Sequence, residues 1–150
     1  MSEKIESDAG VYIDSSALAK LYVPEPESEQ VERFLLGRRD LIISDLSVTE
    51  VISAAARRKR EKALSRKQAI EIRDAVLSDA GSGSFRRAGM SPSIHRKAER
   101  MLLATESVPL RTLDALHIAL ALSVESKYIL TFDSRMADAA TLQGLQIVEV

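Results

Sequence analysis

LRTLDALHIALALSV, residues Leu110–Val124, is the stretch that decides the fold. Nearly every position from Leu113 to Leu122 is apolar, so the segment offers no polar face to water. The run is long, rich in Ala and Leu and poor in β-branched residues, which specifies a helix buried on most sides. Asp114 and His117 stand in it three residues apart, and so on one face near its N-terminus. A carboxylate this close to a core costs free energy unless it is paired, hydrogen-bonded or bound to a cation. Asp114 therefore needs partners from elsewhere in the chain.

The flanking sequence supplies short apolar strands at Val11–Ile13, Leu41–Ile43 and Tyr128–Phe132, and a closing one at Leu145–Val150. Ser84–Met90 reads as a weak further strand, with only Phe85 and Met90 as large apolar residues. Helical spacing covers Ala17–Tyr22, which Pro24 and Pro26 stop, and resumes from Ser28 with Val31, Phe34 and Leu35. An amphipathic helix with Val48, Val51, Ile52, Ala55 and Ala56 on one face follows the second strand and ends in a basic run. Another extends from Ser65 to about Asp79 before Gly81-Ser82-Gly83, and Ser91-Pro92 opens a helix carrying Ile94, Ala98, Met101 and Leu102. Asp133-Ser134 begins the last helix. Short apolar strands alternating with helices specify an α/β fold with a parallel sheet covered by helices on both faces. The two helices in succession between the second and third strands read as an insertion in that rhythm.

With 150 residues, 45% of them apolar and 29% charged, the chain is expected to form one domain over residues 1–150, with 1–10 a loose tail. It has no cysteine, which removes disulfides, thiolate metal sites and thiol nucleophiles and fits a reducing cytoplasm. The N-terminus is acidic and polar, unlike a signal peptide, and no run of about 18 apolar residues predicts a membrane span. The net charge of −1 argues against a general nucleic-acid coat protein, but leaves room for a basic rim around an acidic centre.

In an open parallel sheet, ligands collect beyond the carboxyl ends of the strands. Asp14 follows the first strand; Asp45 and then Glu50 follow the second; Asp133 follows Tyr128–Phe132; Asp114 heads the buried helix. Asp14, Glu50, Asp114 and Asp133 can therefore converge, with Asp138 available as a fifth acid. Each has a plainer reading. Asp14 and Asp133 suit helix N-caps, Ser47-x-x-Glu50 matches a capping box, and Asp114 suits the positive end of its helix. Caps do not explain why every strand end that can be placed firmly before a helix delivers an acid nearby. Converging carboxylates repel unless a cation neutralises them, and an all-oxygen donor set with only two histidines selects Mg²⁺ or Mn²⁺ over zinc. The reaction matching such a site is metal-assisted hydrolysis of a phosphodiester. No Gly-rich phosphate cradle of either common type is present.

Arg111 adjoins the proposed site and is the first candidate for a phosphate contact. Arg57 and Arg58, in the basic run through Lys62, are further candidates, although such a run also suits a solvated helix end. Three Phe, three Tyr and no Trp make a base-stacking platform improbable, so nucleic acid would be held through phosphates and shape. His117 reads either as a satisfied core imidazole or as a support that orients a carboxylate. His95 falls on the surface, and Ser15 or Ser16 suits a cap or the holding of a metal-bound water.

VYIDSSALAKLYVPEPES at 11–28, ISDLSVTEVISAAAR at 43–57, LRTLDALHIALAL at 110–122 and ILTFDSRMADAA at 129–140 resemble, in order, the four blocks of a PIN-domain ribonuclease. The likeness is to the VapC-type toxins of type II toxin–antitoxin pairs and spans almost the whole chain; residues 65–91 match least. The resemblance implies a three-layer α/β/α fold and a Mg²⁺- or Mn²⁺-dependent endoribonuclease with Asp14, Glu50, Asp114 and Asp133 as its acidic quartet. Asp14, Asp114 and Asp133 would fix the metal directly or through water, Glu50 would complete the site, and Thr131 or Ser134 would position the last Asp or the attacking water. It also implies RNA as substrate, a cognate antitoxin lying over the cleft, and a homodimer or larger toxin–antitoxin assembly. The helices at 15–22 and 28–36 could supply the dimer surface. The alternatives are a related nuclease acting on DNA or flap structures and a catalytically silent PIN-like interaction module. A phosphate-receiver domain fits less well, because Asp-Ser-Ser follows the first strand and Asp, not Lys, follows the penultimate one.

Overall fold

A computed structural model describes residues 9–150. The elements run β1 (Val11–Ile13), α1 (Ser15–Leu18) with a 3-10 turn at Ala19–Leu21, α2 (Ser28–Leu35), β2 (Leu41–Ser44), α3 (Asp45–Arg60), α4 (Arg66–Gly81), β3 (Arg86–Ala88), α5 (Pro92–Ala104), α6 (Thr112–Ser123), β4 (Tyr128–Leu130), α7 (Ser134–Leu142) and β5 (Gln146–Ile147). The five strands are all parallel, in the order β3-β2-β1-β4-β5. The chain steps outward from β1 to β3 and then returns to the other side of β1 at β4. The switch point of the sheet therefore lies between β1 and β4, where a parallel sheet opens a crevice at its carboxyl edge.

Alternation along the strands sorts the two faces. Tyr12, Ile42 and Ile129 join the core built with α5, α6 and α7. Val11, Ile13, Leu41, Ile43 and Leu130 join the core built with α1 to α4. These two cores make the three α/β/α layers that the alternating pattern implied. Helix α6 is the packing centre of its layer: all eight residues from Asp114 to Ala121 are buried. Its lack of a polar face follows from being enclosed by the sheet, α5 and α7.

Several boundaries differ from the sequence expectations, each for a local reason. Ala17–Tyr22 is not one helix: α1 starts under the Asp14 cap and tightens into the 3-10 turn before Pro24. Ser44 extends β2 and caps α3, its Oγ accepting from the Ser47 N–H at 3.0 Å, so Ser47-x-x-Glu50 is not a capping box. The weak strand exists as the edge strand β3, flanked by Phe85 and Met90, which pack into opposite cores. The closing strand shrinks to two residues. The helix pair between β2 and β3 is no isolated insertion, since pairs also separate β1 from β2 and β3 from β4. Of the expected loose tail, residues 1–8 lie outside the described residues. Ala9 is buried and Gly10 is bonded to Tyr128, so those two belong to the folded body. Among the described residues no helix is long and apolar enough to cross a membrane.

Candidate active site

The carboxyl edge of the sheet opens into a cleft of about 490 Å³, and Asp14, Glu50, Asp114 and Asp133 all line it. Asp14 leaves β1 and caps α1, with Oδ1 accepting from the Ala17 N–H at 3.0 Å and the Ser16 hydroxyl at 2.7 Å. Oδ2 accepts from Thr131 Oγ1 at 2.5 Å. The Asp14 carboxyl is 2% exposed, and burial pushes its pKa up, partly offset by the Thr131, Ala17 and Ser16 hydrogen bonds and the nearby His117. The cap reading of Asp14 is therefore correct and does not compete with a role in the cleft: the cap fixes the carboxylate at the switch point.

Thr131 joins two acids. Its hydroxyl donates to Asp14 and accepts the Asp133 backbone N–H at 3.1 Å. Asp133 caps α7 through the N–H groups of Arg135 and Met136. Ser16 Oγ accepts the Phe132 N–H at 2.9 Å, so Ser16 ties the loop after β4 to Asp14. Ser15 lines the cleft, and Ser134 is exposed at the start of α7.

Asp114 is 4% exposed, and its partner is Arg111. Asp114 Oδ2 accepts the Arg111 backbone N–H at 3.3 Å and Nε–H at 3.2 Å. Arg111 Nη2 reaches Asp133 Oδ2 at 3.0 Å. One guanidinium thus bridges two members of the quartet, and the compensation that the buried helix demanded comes from the residue at its own N-cap.

Glu50 faces the cleft from α3 and meets His117, whose Nε2 stands 2.5 Å from Glu50 Oε1. A carboxylate only accepts, so Nε2 carries the proton. Nδ1 lies 2.7 Å from the Tyr12 hydroxyl, which lies 2.7 Å from Ser44 Oγ. Burial pushes the Tyr12 phenol well up, so it stays protonated. With a neutral imidazole the directions close: Ser44 donates to Tyr12, Tyr12 to His117 and His117 to Glu50, while Ser47 donates to the Ile13 carbonyl at 3.0 Å. His117 is thus both a satisfied core imidazole and a support for Glu50. Tyr12 and Ser44 are the members that sequence reading missed. The available signal was a phenol inside the central strand, where an aliphatic residue would have packed as well.

The remaining candidates fall outside this constellation. Asp45 bonds to Arg87 at 2.6 Å toward the sheet edge, Asp138 is exposed and does not line the cleft, and His95 is on the surface. Arg58 is bonded to Glu25. Arg57 is exposed and, with Arg60, lines a groove that shares Ser15, Ser16, Glu50 and Leu113 with the cleft.

The donor set is all oxygen apart from His117, which suits a hard divalent ion. Among the described residues, however, no three Asp, Glu or His side chains are gathered as a ready metal site. Fit is thus met in chemistry and shared cleft, and Arg111 supplies positive charge at two of the four acids, Asp114 and Asp133.

Comparison with known proteins gives a consistent result. The PIN domain profile matches residues 11–142. Ribonuclease VapC46 of Mycobacterium tuberculosis is 34% identical over 148 residues, covering 93% of this chain and 97% of that protein. The crystal structure of M. tuberculosis VapC20, described as a sarcin–ricin loop cleaving toxin, superposes with a TM-score of 0.74 at 15% identity, over 94% of this chain and all of that one. A toxin–antitoxin complex from Klebsiella pneumoniae gives a TM-score of 0.63 at 18% identity, covering 93% of this chain and 97% of that one.

Proposed function

Because this chain belongs to the PIN-domain family and is homologous to the VapC-type toxins of type II toxin–antitoxin systems, we propose that it is a Mg²⁺- or Mn²⁺-dependent endoribonuclease acting as such a toxin. The observation that carries the reading is the meeting of Asp14, Glu50, Asp114 and Asp133 in one cleft at the switch point of the sheet. Asp14, Asp114 and Asp133 would hold the ion, directly or through water, with Glu50 completing the set. Such an ion supplies water activation and charge stabilisation for phosphodiester hydrolysis. The chain's own groups prepare for it: Ser16 and Thr131 lock the Asp14 carboxylate, the Thr131 oxygen sets Asp133, and His117 fixes Glu50. The reading includes a cytoplasmic location, a cognate antitoxin over the cleft and a homodimer. Leu18 and Val31, from the helices first considered for a dimer surface, are spent in this chain's own core, which leaves Leu21, Tyr22, Phe34 and Leu35 half-buried around them.

The deciding experiment offers labelled RNA, single-stranded DNA and a flap duplex to the purified, antitoxin-free protein. The expected outcome is RNA cleavage that requires Mg²⁺ or Mn²⁺ and stops with EDTA. Cleavage that persists in EDTA, or in both Asp14→Asn and Asp133→Asn, overturns the reading. Preference for DNA or flap favours the related nuclease, and partner binding without cleavage favours the silent module.

The groove past Glu50 is proposed as the path of the RNA strand. Arg57 lies about 10 Å along α3 from Glu50, on nearly the same side of the helix. Ser53 and Ala54 between them leave room for a strand. Arg57→Ala is expected to weaken binding of single-stranded RNA in EDTA and to reduce the salt slope by about 0.7, the share of one phosphate contact. Fluorescence anisotropy across a salt series measures it, with Arg73→Ala, on α4 and outside that groove, as the control.

A further inference from the structure

We infer that Arg111 competes with the divalent ion for Asp114 and Asp133, and so sets how tightly this chain holds metal. The inference rests on the proposed metal-dependent reading. Its grounds are geometric. The side chain bonds Asp114 Oδ2 through Nε at 3.2 Å and Asp133 Oδ2 through Nη2 at 3.0 Å, joining acids from α6 and from the loop after β4. A lone pair directed at a guanidinium N–H is not available to a metal, and a divalent ion set beside that guanidinium is repelled by it. Among the described residues the four acids line one cleft, and no three of them are gathered into a metal site.

Arg111 is built to leave. Its side chain is 54% exposed, whereas that of Asp114 is 6% exposed. Its backbone N–H also bonds Asp114, so the side chain can swing out while the main chain stays anchored and Asp114 keeps one donor. Once out, the guanidinium remains at the cleft mouth, where a bidentate donor suits a phosphate. Arg111 is thus a positioning residue with two states: in the metal-free protein it neutralises Asp114 and Asp133, and with the ion held it is released toward substrate.

The test is Mn²⁺ binding, followed by calorimetry and by the loss of free Mn²⁺ signal in electron paramagnetic resonance, with no RNA present. Arg111→Met keeps the stem and removes the charge. It is expected to bind Mn²⁺ about 5- to 150-fold more tightly than the unaltered chain, the span of an ordinary coupling between two ligands. In EDTA it is expected to melt lower, and its stabilisation by Mn²⁺ is expected to be larger. Arg111→Lys, which cannot fork across both acids, shifts the same quantities less and serves should the Met variant fail to fold. Opposite signs for metal affinity and metal-free stability are the signature, since a merely structural arginine would lower both. If the unaltered chain binds Mn²⁺ and neither variant binds it more tightly, the inference is overturned while the proposed function stands. If no form binds Mn²⁺, both fall.

Discussion

Asp14→Asn is expected to abolish RNA cleavage and, in EDTA at neutral pH, to raise the melting temperature. The loss of activity should exceed about 100-fold, beyond the 10–100-fold typical of losing a group that merely supports a metal ligand. The gain in stability follows from burial. The Asp14 carboxyl is 2% exposed, and its pKa in the folded chain lies above the ordinary value of 3.8, chiefly through loss of solvent. A carboxyl that holds its proton more tightly when folded means that the folded state binds more protons between those two values. Its contribution to stability is therefore greatest at acid pH and is lost as pH rises through the folded pKa. Asparagine stays neutral and escapes that loss. Its Oδ1 can accept from Ala17 and Ser16 as before, and its amide can donate to Thr131, whose oxygen then accepts. At this chain length each kcal/mol moves the midpoint by about 2–4 °C. Melting curves from pH 4.5 to 8 in EDTA should show the variant ahead at neutral pH and the gap closing toward acid. A variant that melts lower across the whole range would mean that the three hydrogen bonds outweigh burial and hold the carboxylate favourably charged.

The same residue shows what could be read from the sequence and what could not. Asp14 and Asp133 were legible because the chemistry lies where local pattern ends: an apolar strand stops, a helix starts, and an acid stands at the join; Asp114 was legible as a carboxylate in the first turn of an otherwise apolar helix. Helix α6 was legible because ten nearly unbroken apolar positions have only one place to go. Glu50 was legible as an acid near a strand end, though β2 runs one residue further than expected and hands the cap to Ser44. The pairings across the sheet left no such trace. Tyr12 fits an apolar strand by composition, and only the fold brings its hydroxyl to residues 32 and 105 positions away. Arg58 reads as one more charge in a basic run until the loop at Glu25 folds against it. Arg111 reads from the sequence as a phosphate contact beside the site, and it lines the cleft; its bridge to Asp133 depends on how the loop after β4 meets α6.

His117→Ala is expected to cost about 2–4 kcal/mol of stability, because it opens a cavity in a close-packed layer and strips a partner from two polar groups at once. The imidazole is 2% exposed and forms the link between Tyr12 and Glu50. A fall of roughly 5–15 °C in the melting temperature follows for a chain of this size. Such a loss alone would fit any packed side chain. The relay itself is isolated by Tyr12→Phe, which keeps the ring and removes one hydroxyl from a site that does not line the cleft. Without that hydroxyl, His117 Nδ1 has no donor, and the tautomer that presents Nε2–H to Glu50 is no longer enforced. Tyr12→Phe should therefore lower cleavage by about 10-fold with the fold intact, the lower end of what supporting groups around a metal contribute. A double-mutant cycle in stability between Tyr12→Phe and Glu50→Gln should return a coupling of about 0.5–3 kcal/mol, although His117 stands between the two side chains. Strict additivity in that cycle, with cleavage unchanged in Tyr12→Phe, would reduce the buried chain from Ser44 to Glu50 to a packing feature and leave Glu50 held by His117 alone.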